Sequence, residues 1–278
     1  MPERVALVTG ASAGIGIHTA IGLASAGMHV IMAGRDPART EAARRFVADR
    51  AGAAKIEIML ADFASLDQVR RLAQEILARH DRLDVLVNNA GLLAPGPERS
   101  QDGFELTIAV NHLAPFLLTN LLLDRLKQSA PARVVTVASR AHRGARLDVG
   151  RLGQPGEGGR VAAYGRSKLC NILFTRELAR RLAGSGVVAA CLHPGVVATE
   201  LGDRGGGLVG LGWRLGKILM ISPEKGAGTS IFLATTPDPE RFHGAYVVGT
   251  EITEPDAAAR DDDLARRLWE ESARLVGL

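Results

Sequence analysis

The chain has 278 residues, of which 46% are hydrophobic and 23% charged, enough to bury a large core without the disulfide or metal staples of a miniprotein. Its formal charge is +4, but the bases are scattered among acids with no long block of like charge, which argues against a nucleic-acid partner. The two cysteines, Cys170 and Cys191, have neither CxxC nor metal-ligand spacing and sit in apolar runs, so the expectation is two small buried hydrophobes, no metal and a reducing compartment.

Strand-like sequence begins at Arg4, leaving no room for a leader or anchor, and no uncharged apolar stretch reaches the length of a membrane span. A soluble, cytoplasmic protein with no membrane partner is the expectation. In chain order, short β-branched runs read as strands at Val5–Val8, Val30–Ala33, Ile56–Leu60, Val85–Val87, Val134–Val137, Val187–Leu192 and Tyr246–Val248. Between them the pattern predicts helices around residues 15–26, 37–50, 65–80, 102–128, 164–183 and 223–234, and a last amphipathic helix within 256–276. Strand alternating with helix predicts a single-domain α/β fold, a doubly wound parallel sheet of about seven strands with helices on both faces. Residues 143–160 and 202–212, rich in glycine, read as surface loops.

The first strand runs into Thr9-Gly10-Ala11-Ser12-Ala13-Gly14-Ile15-Gly16, which opens the first helix. Glycine lets the backbone turn tightly and approach a ligand, and a helix start offers free N–H groups to a pyrophosphate. The second strand ends in Ala33-Gly34-Arg35-Asp36. An NAD-selective site puts an acid at that strand end; here the position is Gly34, and the Arg35 guanidinium suits a 2′-phosphate. Asp36, followed by Pro37, reads as the start of the next helix, although a register shift of one residue would invert the preference. NADP(H) is therefore expected in preference to NAD(H).

The chemistry points to Tyr164-Gly165-Arg166-Ser167-Lys168, where Tyr164 and Lys168 share a helix face. A nearby ammonium and an oxidised nicotinamide would both favour tyrosinate, drawing the phenol toward the working pH range as an acid/base. Ser139 ends the fifth strand, on the carboxyl side where open α/β sheets hold ligands, and its hydroxyl can steady a substrate oxygen. Asn111 is an amide inside a predicted helix, which usually needs a reason. Neighbouring His112, and likewise His142 and His193, read as packing residues.

In their order and spacing these motifs resemble the short-chain dehydrogenase/reductase family, from about residue 4 to 250. Asn111-His112-Leu113-Ala114-Pro115-Phe116 and Ser167-Lys168-Leu169-Cys170-Asn171 are similar to its retinol dehydrogenase and WW-domain-oxidoreductase branch. The resemblance implies a Rossmann fold and a catalytic set of Asn111, Ser139, Tyr164 and Lys168. It implies cofactor contacts at Gly10, Ser12, Gly14, Ile15, Gly16, Arg35, Asp62 (adenine), Asn88 (bracing the sheet), Tyr164 and Lys168 (ribose), and Val197 and Thr199 (carboxamide). Asn111 would hold local backbone geometry and a water serving Lys168. A homodimer or homotetramer is implied as well. The expected activity is hydride transfer between NADP(H) and a small-molecule alcohol/carbonyl pair, apolar in character. Two features depart from the branch, the missing anchor and the Gly/Arg-rich insert between Ser139 and Tyr164, and both weigh against a retinoid. The apolar stretch 201–222, with Trp213, reads either as a lid over the substrate or as a helix packed on the core. The rival reading is a non-catalytic NADP-binding regulator on the same fold, but such a protein should have lost part of the tetrad.

Overall fold

A computed structural model describes residues 3–52, 54–156, 158–195 and 222–278. Strands β1 (Val5–Thr9), β2 (His29–Gly34), β3 (Ile56–Leu60), β4 (Val85–Asn88), β5 (Ala132–Val137), β6 (Val187–His193), β7 (Tyr246–Val248) and β8 (Glu251–Ile252) form one sheet in the order β3-β2-β1-β4-β5-β6-β7-β8. All neighbours are parallel except β7 and β8. The expected seven strands are present; the eighth is a two-residue edge strand, too short to carry any alternation. Strand order reverses between β1 and β4, and the crevice at such a switch point is where open α/β sheets bind ligands.

Among the described residues the helices are α1 (Gly14–Ser25), α2 (Pro37–Ala51), α3 (Leu66–Arg79), the single turn α4 (Leu106–Ile108), α5 (Ala114–Gln128), α6 (Gly159–Arg181), α7 (Pro223–Thr235) and α8 (Asp262–Val276). Alternate strand residues feed two cores. Leu7, Ile31 and Leu86 face Leu72 and Ile76 of α3, Phe116 of α5 and Leu169 of α6. Ala6, Val8, Met32 and Val87 face Leu23 of α1, Val47 of α2 and Leu233 of α7. The sheet is thus covered on both sides, a single-domain α/β Rossmann-like fold, as its apolar strands require.

Element ends follow local chemistry. Asp36 caps α2, its Oδ1 accepting from Arg39 N at 2.8 Å with Pro37 in the first turn. Asp261 caps α8 by accepting from Leu264 N at 2.9 Å. Three expectations need correction. The 102–128 segment becomes helical only at Leu106 and carries a π-helical turn, Ala109–Leu113, where a wider hydrogen-bond spacing turns Asn111 out of the regular ladder. The helix bearing Tyr164 begins earlier, at Gly159, so the 143–160 loop is shorter and holds a 3-10 turn at Val149–Arg151. The final helix starts only at Asp262, behind a 3-10 turn at Ala257–Arg260. The span Leu106–Gln128 is long and apolar enough to cross a membrane by composition, but 78% of its apolar window is buried in the fold, which marks it as a core segment. Residues 196–221, including Trp213, lie outside the described residues, and with them the lid-or-helix alternative.

Candidate active site

The cofactor end is built from the β1–α1 loop. Gly10 and Gly14 adopt φ of +64° and +55°, which L side chains rarely take. A Cβ on Gly10 would lie 2.8 Å from Ala90 Cα, and one on Gly16 would lie 2.3 Å from the Gly10 carbonyl oxygen. The loop is held by a clasp to the end of β4. Thr9 Oγ1 accepts from Asn89 N and Ala90 N, both at 3.0 Å, and donates to the Val87 carbonyl at 3.3 Å. Asn89 Nδ2 donates to the carbonyls of Thr9 (2.7 Å) and Gly10 (3.2 Å). The motifs contain Thr9 and Asn89, but the sequence assigns a role only to Asn88; the doubled asparagine opposite a threonine is the signal for this clasp. Asn88 ties the sheet to α5, its Nδ2 donating to Thr119 Oγ1 at 2.9 Å.

Whether this loop suits an anion can be tested on the helix itself. Ala13, at the N-cap of α1, offers no side-chain acceptor, and the first turn contains no acid. The helix itself thus supplies neither a cap nor an acid to these N–H groups and this positive dipole end, which fits a pyrophosphate held by Gly10, Ser12, Gly14, Ile15 and Gly16. At the neighbouring rim, Arg35 is exposed just after β2. Asp62 follows β3 there, its Oδ1 accepting from Ala64 N at 3.0 Å while its own N–H donates to Gln68 Oε1 at 3.0 Å. Ala61 N donates to the Gly34 carbonyl at 2.9 Å, so the two strand ends lie side by side.

The second half of the site forms at the end of β5, where Ser139, Tyr164, Lys168 and Asn111 converge. The Tyr164 hydroxyl lies beside Ser139, near enough for that side chain to act on its proton affinity. Lys168 is buried; its Nζ donates to the Val137 carbonyl at 2.9 Å and lies 5.4 Å from the Tyr164 ring centroid. Asn171, one helical turn beyond Lys168 and two beyond Tyr164, donates to the same carbonyl at 3.2 Å. Asn111 spends its amide locally: Oδ1 accepts from Leu92 N (2.8 Å), and Nδ2 donates to Leu92 O (2.9 Å) and Ser167 Oγ (3.0 Å). Ser167, which sequence reading did not single out, donates onward to the Tyr164 carbonyl at 2.7 Å.

Burial sets the proton affinities. It holds the Tyr164 phenol above its ordinary value, with Ser139 pulling the other way. The expected lowering of Tyr164 is therefore not produced by the protein's own residues, because desolvation outweighs them. The same burial draws the Lys168 ammonium down to about 8. His112, buried and paired with Ser272 Oγ at 2.8 Å, is pushed down to about 3 and stays neutral. His193 is drawn to about 4, chiefly by burial. His142 Nδ1 lies 2.6 Å from the Ser139 carbonyl oxygen and its Nε2 accepts from Asp256 N at 3.2 Å, a bridge between loops. Val197 and Thr199 lie outside the described residues.

A doubly wound sheet with a glycine-lined loop at its switch point, beside Ser139, Tyr164 and the buried Lys168, is the framework of a dinucleotide-dependent oxidoreductase. The chain belongs to the short chain dehydrogenase family, whose sequence profile matches residues 4–205, and within it to the retinol dehydrogenase branch. It is 43% identical to retinol dehydrogenase 13 of Homo sapiens over 284 residues, covering 100% of this chain and 86% of that protein. Among solved structures, an uncharacterized protein from Mycobacterium paratuberculosis is 35% identical, with a TM-score of 0.78 over 99% of this chain and 93% of that one. An NAD(P)-dependent gluconate 5-dehydrogenase from Beutenbergia cavernae with bound NADP is 32% identical, with a TM-score of 0.72 over 89% and 95% of the two chains.

Proposed function

We propose that this oxidoreductase prefers NADP(H) and interconverts an alcohol and a carbonyl on an apolar small molecule, with Tyr164 as the acid/base. The observation that carries the reading is the half-buried Tyr164 phenol beside Ser139, with the buried Lys168 Nζ 5.4 Å from its ring centroid. The bound nicotinamide supplies or accepts the hydride. In the reducing direction Tyr164, kept protonated by burial, donates its proton to the carbonyl oxygen, and Ser139 Oγ donates a hydrogen bond to the same oxygen as charge grows on it. Lys168, drawn to about 8, can take and give a proton near neutral pH and so reload Tyr164 through a water. Asn111 and Ser167 act at one remove, holding the π-helical turn and the first turns of α6 in register. In the oxidising direction the same groups run in reverse.

The loop Gly10–Gly16 would hold the pyrophosphate, Asp62 the adenine, Arg35 the 2′-phosphate, and Tyr164 and Lys168 the nicotinamide ribose. Val197 and Thr199 are assigned to the carboxamide from the motif alone. The exposed Arg35 and the NADP of the Beutenbergia cavernae structure support the phosphorylated cofactor. The name of the human relative supports a long apolar polyene alcohol or aldehyde as the first substrate to try. The test follows NADPH absorbance with retinal and a series of shorter aldehydes. Turnover that disappears in Tyr164→Phe while NADPH binding persists supports the reading; near-native turnover in that variant overturns it.

A further inference from the structure

Selection against NAD(H) has a second component, which does not touch the cofactor. Gly34 closes β2, the position where an NAD-selective site carries an acid for the ribose 2′-hydroxyl. A Cβ placed on Gly34 would lie 2.3 Å from Thr40 Oγ1, 3.1 Å from its Cγ2 and 3.2 Å from its Cβ. Two of the three substituents around that threonine Cβ therefore crowd the glycine, so a rotamer change exchanges one clash for another. Thr40 is also fixed. It is fully buried, it is β-branched, and it sits in the first turns of α2 with Oγ1 donating to the Asp36 carbonyl at 2.6 Å and its N–H donating to the same oxygen at 2.9 Å. The other carboxylate in reach, Asp36, is consumed as the cap of α2.

We infer that Thr40 is a specificity-determining residue for the cofactor: it denies space to any side chain at position 34, so that the acid an NAD site needs cannot be installed and Arg35 alone addresses the ribose end. The inference rests on the NADP(H)-preferring reading above. Thr40 acts entirely through another residue and is a positioning residue. It predicts that the two positions are coupled in the protein without cofactor, before any binding is measured.

The experiment is a two-part double-mutant cycle. In the first part Gly34→Ala, which adds only the Cβ, is combined with Thr40→Ala, which clears the Oγ1 and Cγ2 atoms, and cofactor-free thermal midpoints are read. Gly34→Ala alone should lower the midpoint by roughly 5 °C, and most of that loss should vanish in the Thr40→Ala background. In the second part Gly34→Asp is made in both backgrounds, and NAD(H) and NADP(H) affinities are measured by fluorescence titration. Gly34→Asp alone should gain no NAD(H) affinity. With Thr40→Ala it should bind NAD(H) about tenfold tighter than the single variant, the size of one charged hydrogen bond, and lose NADP(H). Thr40→Ala alone should keep the parental preference, because position 34 is still glycine.

Additive midpoints, or a Gly34→Asp variant that binds NAD(H) tightly beside an intact Thr40, would overturn the gate. A parent protein that binds NAD(H) more tightly than NADP(H) would overturn the underlying preference, whereas the thermal cycle reads the Gly34–Thr40 contact independently. The two failures are thus distinguishable.

Discussion

Asn111 and Ser167 stand 56 positions apart and are joined side chain to side chain, Nδ2 to Oγ at 3.0 Å, in a fully buried contact. Because Ser167 also donates to the Tyr164 carbonyl, this link sets the π-helical turn against the helix that carries the proton donor.

Ser167→Ala should cost about 1 kcal/mol of stability, since Asn111 Nδ2 keeps its bond to Leu92 O. Turnover should drop by up to about 100-fold, as a slightly misplaced catalytic group can cost that much, while NADP(H) affinity holds. Ser167→Thr, which restores a hydroxyl, should recover part of the turnover. A chemical melt alongside steady-state kinetics checks both; equal losses in turnover and cofactor affinity would contradict the positioning role.

Tyr164→Phe should leave the fold and NADPH binding intact and reduce turnover by ~10²–10⁴-fold, the usual worth of a placed acid/base. Lys168→Arg keeps the charge but should also fail. A guanidinium is wider than the ammonium buried against Val137 O and releases protons far less readily. Retained turnover in Lys168→Arg would show that charge alone is required.

Gly16→Ala should disrupt the cradle, because the added methyl would press on the Gly10 carbonyl at 2.3 Å and on Asn89 Nδ2 at 2.5 Å. Overpacking of this kind costs about 1–3 kcal/mol, and NADP(H) affinity should fall at least about tenfold. Titration of the purified variant with NADPH, followed by fluorescence, reads the change directly.

Acid should unfold the protein in part through His112. The unfolded imidazole takes a proton near its ordinary value of 6.5, whereas the folded one resists until about 3. Between those limits the unfolded state binds more protons, so this contribution falls progressively as pH drops from 6.5 toward 3 and is constant above 6.5. His112→Gln keeps a polar partner for Ser272 yet cannot titrate. Its stability should therefore vary less with pH over that window in a series of thermal melts, and an unchanged slope would contradict the assignment.

Strand positions and the glycine loop were legible in the sequence because each rests on local pattern, whereas Asn111, Ser139, Tyr164 and Lys168 were grouped by family resemblance. β-branched runs need a sheet buried on both faces, and positive-φ turns need glycine. What escaped depends on contacts between distant segments. Thr9 and Asn89 clasp across about 80 positions, as do Asn111 and Ser167 across 56, and no periodicity reports such pairings. Tyr164 shows the same limit energetically. Its Lys168 neighbour is visible four residues on, whereas the burial that raises its proton affinity depends on the whole surrounding fold. The start of α6 at Gly159 was hidden by glycines at 158 and 159 that normally interrupt helices.

Helix α8 lies behind the reacting groups. Trp269 stacks on Phe174 at 5.8 Å and meets Phe116 edge-on at 4.9 Å, Arg181 covers its ring at 4.4 Å, and Ser272 holds His112, the residue beside Asn111. The loop that would hold the pyrophosphate is clasped by residues no later than Ala90, whereas the helix packed on α6 and on His112, the neighbour of Asn111, is supplied from Asp262 onward. During synthesis on the ribosome, the nucleotide cradle therefore has its parts long before the reaction centre does. A protease that nicks the chain just ahead of α8 would strip that helix from one function and leave the sequence of the other untouched.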